Sequence, residues 1–178
     1  MPTRSISREG LYEPYYEHDA CGIGFMCNID GNRSHEVIKN GLQILINLTH
    51  RGACGCDPET GDGCGIMFHI PHDFFVAEGK LHGFDLPAPG DYGVGMIFLP
   101  RDRESRESCI QILNKAILEE DQELIGWRDV PRDSSTIGWL ARENEPVIRQ
   151  VFIGKSEGLD IETFERKLFT IRKSATHM

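Results

Sequence analysis

The sequence predicts an α+β fold, and three observations carry that prediction. Apolar runs with strand character stand at 21–29, 66–70, 92–99, 127–130 and 147–153, most of them stopped by proline or a turn pair. Three longer stretches, about 34–49, 103–124 and 161–172, repeat apolar residues at helical spacing. The two kinds alternate irregularly, with no Gly-x-Gly-x-x-Gly between a strand and a helix, so a dinucleotide-binding sheet is not supported. There is no Walker motif and no internal repeat.

Taken in order, residues 1–20 are polar, with Pro2 and Pro14 and no helical or strand period. They read as a removable leader, or more plainly as an ordinary N-terminal tail. Cys21 to Ile29 reads as a buried strand, with Gly22 and Gly24 suited to close approach by another backbone or a ligand. Asp30-Gly31 is a turn signal. Ser34 can cap a helix with Glu36 in its first turn, and Val37, Ile38, Gly41, Leu42, Leu45 and Leu48 form an apolar side expected to lie on a sheet. His50-Arg51-Gly52 ends that helix. Residues 52–65 are a loop whose many glycines predict positive φ angles or close backbone approach. Residues 66–70 read as a second strand, stopped by Pro71, then a short helix over 72–78 and a Gly/Pro loop over 79–91. Tyr92 to Leu99 is a third strand, closed by Pro100. Cys109, Ile110, Leu113, Ile117 and Leu124 define the next helix; 127–130 is a short strand before Pro131; 137–141 has no clear assignment. Val147 to Ile153 is a strand. Phe164, Leu168 and Ile171 mark the last helix.

The 178 residues suffice for one domain with a sizeable core, and 39% hydrophobic against 26% charged residues excludes wholesale disorder. A net charge of −9 argues against nucleic acid as a partner and, more weakly, against an anionic membrane. No apolar run approaches the ~20 residues of a membrane span. The first ten residues lack the apolar segment of a secretory signal, so a cytoplasmic location and free thiols are expected. Cys54, Cys56 and Cys64 lie close together, but Cys-x-Cys is not the Cys-x-x-Cys knuckle of structural zinc; no metal is predicted, and a Cys-rich metal or redox protein ranks third among the readings.

A cysteine nucleophile needs a base, and none of the seven histidines stands in a defensible Cys–His signature. A free α-amino group, with a pKa of ~7.7–8.0, could take the thiol proton if the bond before Cys21 were cut. Nucleophile and base would then belong to one residue.

Cys21-Gly-Ile-Gly-Phe, His50-Arg51-Gly52-Ala53 and Thr60-Gly61-Asp62-Gly63-Cys64-Gly65-Ile66 together resemble the start of the class II glutamine amidotransferase domain of glutamate synthases. The resemblance continues through Val94 to Pro100, Gly126 to Pro131 and Glu165 to Leu168, covering residues 21 to about 173. It implies an N-terminal nucleophile hydrolase, an αββα four-layer sandwich, with residues 1–20 as leader and 21–178 as the N-terminal portion of the domain. It also implies that Cys21 attacks the side-chain amide of L-glutamine. Arg51 would orient the nucleophile, and Gly52, Thr60, Gly61 and Asp62 would belong to the pocket wall. The plainer alternatives are a helix C-terminal cation for Arg51 and a turn residue for Asp62. The remaining cysteines are read as small packing residues.

The family's oxyanion-hole Asn-Gly pair lies beyond residue 178, so an incomplete sandwich and a fragment are expected. In the parent enzyme the ammonia would reach a second domain and convert 2-oxoglutarate to glutamate. That centre uses FMN and an iron–sulfur cluster, with a small subunit or ferredoxin as partner; no cofactor is expected in this chain. The alternative from another class is a non-catalytic interaction fragment or paralogue.

Overall fold

The computed structural model describes residues 22–52, 57–61 and 63–177. It divides into two compact units that meet in sequence at Phe68 and His69.

In the first unit, helix α1 spans His35–Asn47. Ser34 is extended (φ −150°, ψ 136°), and its Oγ accepts the Glu36 amide at 3.1 Å, satisfying one of the donors a helix start leaves unpaired. The Asp30-Gly31 turn forms as expected, with Gly31 at φ 70° and its amide on the Asn28 carbonyl at 3.0 Å. A 3₁₀ turn, Thr49–Arg51, follows α1.

The strands expected at 21–29 and 66–70 do not form among the described residues. Nor are these segments buried: Ile23 and Met67 are each 97% exposed. Apolar composition marks side chains that can line a pleated sheet, but a strand is made by its ladder partner. Here the neighbour is a helix. A Cβ built on Gly24 would fall 2.5 Å from Ile44 Cγ2, one on Gly22 2.9 Å from Leu48 Cδ2, and one on Gly41 2.7 Å from Ile66 Cδ1. Positions 41 and 44 of α1 and Leu48 just after it are three to four residues apart, so one side of the helix and its end seats these two segments rather than a sheet.

The second unit is a small antiparallel sheet between helices, which bears out the α+β expectation. Its elements are α2 (His72–His82), β1 (Tyr92–Leu99), α3 (Arg103–Glu119), β2 (Glu123–Asp129), α4 (Trp139–Asn144), β3 (Val147–Gly154) and α5 (Ile161–His177). The order is β1-β3-β2, with β3 central and register from Tyr92↔Gly154 to Leu99↔Val147. Because side chains alternate along β3, Val151 and Ile153 join Leu113, Ala116 and Ile117 of α3 and Ile171 of α5 on one face. Phe152 faces the other way, against Phe75 of α2 and Tyr92 of β1, with the two phenyl rings edge to face at 5.1 Å. Fully burying one such side chain contributes ~1.5–3 kcal/mol, so these two clusters hold the unit together.

Several boundaries differ from expectation: β2 begins at Glu123 rather than 127, and α5 runs past residue 172 to His177. Helix α2 runs past residue 78 to Gly83, whose φ of 81° lets the Phe84 amide reach the Gly79 carbonyl at 3.0 Å. Leu124, expected in a helix, instead pairs with Ile153 in β2. Helix α3 has already stopped at Asp121, the one described non-glycine residue with positive φ (55°). The Asp121 and Gln122 amides return to the Leu118 and Ile117 carbonyls, both at 3.0 Å.

One buried polar group ties α2 to the sheet. Arg128 of β2, 6% exposed, donates from Nε to Glu78 Oε2 at 2.6 Å and from Nη1 to Gln150 Oε1 at 2.9 Å. Its guanidinium also lies 5.4 Å from the centre of the Phe74 ring.

Candidate active site

The chemistry expected of this chain centres on Cys21, which lies outside the described residues. Its covalent neighbour Gly22 is described. A Cβ built there would sit 3.2 Å from Arg51 Cγ and 3.3 Å from Arg51 Cβ. The stem of Arg51 therefore lies against the residue that follows Cys21 in the chain.

The 3₁₀ turn fixes that stem. The Arg51 amide donates to the Leu48 carbonyl at 2.8 Å, and the Gly52 amide to Thr49 O at 3.2 Å. Thr49 Oγ1 donates to the Ile46 carbonyl. His50 Nδ1 lies 2.9 Å from the Asn47 carbonyl; a carbonyl only accepts, so Nδ1 carries the hydrogen there. The carbonyls at the end of α1 are thus satisfied by side chains and a tight turn, with two basic residues beside them. Arg51 closes the 3₁₀ turn that follows α1, with its stem against Gly22.

A second cluster forms around Asp57, which sequence reasoning missed. Asp57 is 3% exposed. Its Oδ1 accepts the Glu59 amide at 3.1 Å, its Oδ2 accepts the Thr60 hydroxyl at 2.7 Å, and its carbonyl accepts the Thr60 amide at 3.0 Å. The available signal was the Asp57-Pro58 pair, a turn initiator. The consequence for Thr60 is chemical: its hydrogen is committed to Asp57, so its remaining capacity is to accept.

Of the other expected residues, Gly61 is exposed at an isolated bridge and Gly52 is extended at φ −85° and ψ 159°. Asp62 lies outside the described residues, as do Cys54 and Cys56. Among the described residues, no atom beyond the chain neighbours lies within 4 Å of a Cβ built on Gly63 or Gly65, and neither has a positive φ. Cys27, Cys64 and Cys109 are free thiols, and no group of three or more His, Cys, Asp or Glu able to hold a metal occurs among the described residues. No helix among them is long and apolar enough to cross a membrane.

The family model described as "Glutamine amidotransferases class-II" matches residues 21–178, beginning at Cys21 itself. The chain belongs to the class II glutamine amidotransferases. It is 45% identical over 168 residues to the glutamate synthase [NADPH] large chain of Bacillus subtilis, which covers 94% of this chain and 11% of that protein. It is 36% identical over 181 residues to the glutamate synthase [NADH] of Schizosaccharomyces pombe, covering 96% of this chain and 8% of the relative. It is 39% identical over 157 residues to the chloroplastic ferredoxin-dependent glutamate synthase of Spinacia oleracea, covering 88% and 10% respectively. The amidotransferase sequence thus spans about a tenth of the length of the curated relatives it matches.

Proposed function

We propose that this chain hydrolyses the side-chain amide of L-glutamine as the ammonia-donating part of a glutamate synthase, with Cys21 as nucleophile. The observation that carries the reading is the class II amidotransferase match starting at Cys21. Residues 1–20 then act as a leader whose removal frees the Cys21 α-amino group, and residues 21–178 supply amidotransferase sequence of the αββα sandwich type.

The steps follow from the chemistry of that residue. The α-amine takes the thiol proton, and the thiolate attacks the δ-carbon of glutamine. The resulting ammonium returns the proton to the amide nitrogen, the C–N bond breaks and ammonia leaves. The amine then deprotonates a water, which attacks the thioester and releases glutamate. Arg51, whose stem lies against Gly22, supplies a fixed positive charge beside the nucleophile. In the pocket wall, Thr60 offers only acceptor capacity, which suits an N–H of the substrate, while Gly52, Gly61 and Asp62 shape the approach.

The ammonia would pass to the remaining glutamate synthase domains, where 2-oxoglutarate is converted to glutamate with FMN and an iron–sulfur cluster, fed by a small subunit or ferredoxin. Among the described residues no side-chain group fits a metal cluster, so no step here is routed through one. The cytoplasm, which keeps a thiol reduced, suits this chemistry.

Two measurements test the reading. Mass spectrometry of the protein from its host is expected to find a mature end at Cys21; an intact Met1 on protein that releases ammonia from glutamine overturns it. Cys21→Ala is expected to abolish ammonia release. Unchanged release would rule out the nucleophile, and a wild-type chain that releases none while binding glutamate synthase domains would favour the non-catalytic alternative.

A further inference from the structure

We propose that the outer side of α5 is a contact surface for a second copy of this chain. The two α5 helices lie antiparallel across a two-fold axis, with Phe169 at the axis and Glu165 of each copy level with Lys173 of the other. The inference stands apart from the reading of Cys21 and concerns the second unit alone.

Helix α5 is two-sided. Phe164 and Ile171 are buried, and Ile171 and Leu168 join the cluster formed with Leu113 and Ile117 of α3. Phe169 stands on the other side, 55% exposed. One exposed phenylalanine is ordinary by itself, and its neighbours give it meaning. The Arg172 guanidinium lies 5.1 Å from its ring centre and the Lys173 ammonium 6.0 Å. Glu165 comes four residues before Phe169 and Lys173 four after, so all three lie along one exposed stripe. Among the described residues, neither the Glu165 nor the Lys173 side chain makes an ion pair.

That stripe suits a second copy of itself. A two-fold contact is self-complementary: if one residue meets another across it, the reverse contact is made as well. With the helices antiparallel about Phe169, the residue four before the ring lies level with the residue four after it in the other copy. Glu165 therefore meets Lys173 twice, once on each side of the axis. A parallel pair would set Glu165 against Glu165 and Lys173 against Lys173, so charge also selects the direction. Arg166 and Arg172 come level too, but farther round the helix. Arg166 is paired with Glu162 of its own helix, and Arg172 lies over its own Phe169. A polyanion fits less well. Residues 166–177 carry four Lys or Arg and no acid, yet Arg166 and Lys167 are already paired with Glu162 and Glu120, and the chain carries −9 overall. A helix of 17 residues is only ~26 Å long, so the contact falls below the ~1,200 Å² of a standard interface and the association is weak.

Analytical ultracentrifugation of the full chain from about 5 μM to about 1 mM tests this. The wild type is expected to move from monomer toward dimer as concentration rises. Glu165→Lys and Lys173→Glu each place like charges level across the axis, and each is expected to weaken self-association at least about tenfold. An equimolar mixture of the two variants restores opposite charges at both places and is expected to associate like wild type. That mixture is decisive, because its two chains together carry the same net charge as two wild-type chains, so general repulsion is unchanged. Phe169→Ala is expected to abolish association while keeping α5, since alanine is the best helix former, and it carries the test if a charge variant unfolds. A wild type still monomeric at about 1 mM overturns the inference. So does association that survives Phe169→Ala, or a mixture that associates no better than its separate components.

Discussion

At the scale of single residues, Asp57 and Thr60 hold the turn over 57–60. The Asp57 carboxylate is almost fully buried and takes two hydrogen bonds from the next three residues. A hydrogen bond to a charged group is worth ~1.5–3 kcal/mol. Thr60→Val is expected to speed amide exchange at Glu59 and Thr60 by ~10- to 100-fold, whereas Thr60→Ser, which keeps the hydroxyl, leaves it near wild type. Equal exchange in both variants would show that the Thr60 hydroxyl does not hold the turn. The sequence made Thr60 legible through its place in a motif, but not Asp57. An aspartate before proline reads as a turn residue, and nothing in local composition says that its carboxylate is enclosed. The glycines show the same limit: Gly22 and Gly24 were expected to face another backbone or a ligand, and the fold instead sets side chains against them, Ile44 of α1 at Gly24 and Leu48 and Arg51, just past that helix, at Gly22.

At the scale of elements, periodicity located β1 and β3 closely, because both pack into the core, and it placed α1 and the start of α5 as well. It overran the end of α3, where the left-handed stop is an aspartate. Glycine is the usual residue there, so the signal that ended α2 at Gly83 was missing at Asp121. Asp121→Gly removes both the cost of a left-handed non-glycine residue and a negative charge beside a helix C-terminus. It is expected to raise stability by about 0.5–1 kcal/mol in denaturant titration, since αL geometry costs an ordinary residue ~1–2 kcal/mol and aspartate somewhat less. A loss of stability would mean that Asp121 makes contacts outweighing its strain. The apolar runs at 23–29 and 66–70 misled for the opposite reason, since their composition was legible and their ladder partners were not. Between α2 and the sheet the deciding group is Arg128. Removing its charge strands Glu78 and Gln150, and breaking a buried pair costs ~3–5 kcal/mol. Arg128→Met is therefore expected to lower the urea midpoint of the second unit much more than Arg128→Met combined with Glu78→Leu, read by Trp127 fluorescence. The difference measures the stranded charge, and no difference would mean the pair is held by packing alone.

For the molecule as a whole, pH sets two effects in opposition. The chain carries a net charge of −9, so protonating carboxylates relieves self-repulsion and favours the compact state. Three exposed aspartates at turns and helix starts act the other way. Asp102 accepts the Ser105 backbone amide at the start of α3, and this bond holds its carboxyl below the usual carboxylate range. At the start of α5, Asp160 is lowered in the same way by the Thr163 backbone amide. Asp133 is lowered by Ser135, through its side chain first and then its amide. A carboxyl whose folded pKa is depressed binds fewer protons folded than unfolded. Its stabilisation is therefore complete above the unfolded value of ~3.9 and is lost as pH falls through the lower folded values. The denaturant midpoint of the second unit, followed by Trp127 and Trp139, is expected to hold as pH falls toward about 4 and to drop below it. Replacing Asp102, Asp133 and Asp160 together by Asn keeps side-chain acceptors at the caps but removes their titration, so the drop should become shallower while the value near neutral pH changes little. If wild type and the triple variant fall in parallel, acid sensitivity belongs to other carboxylates and the caps act as neutral acceptors would.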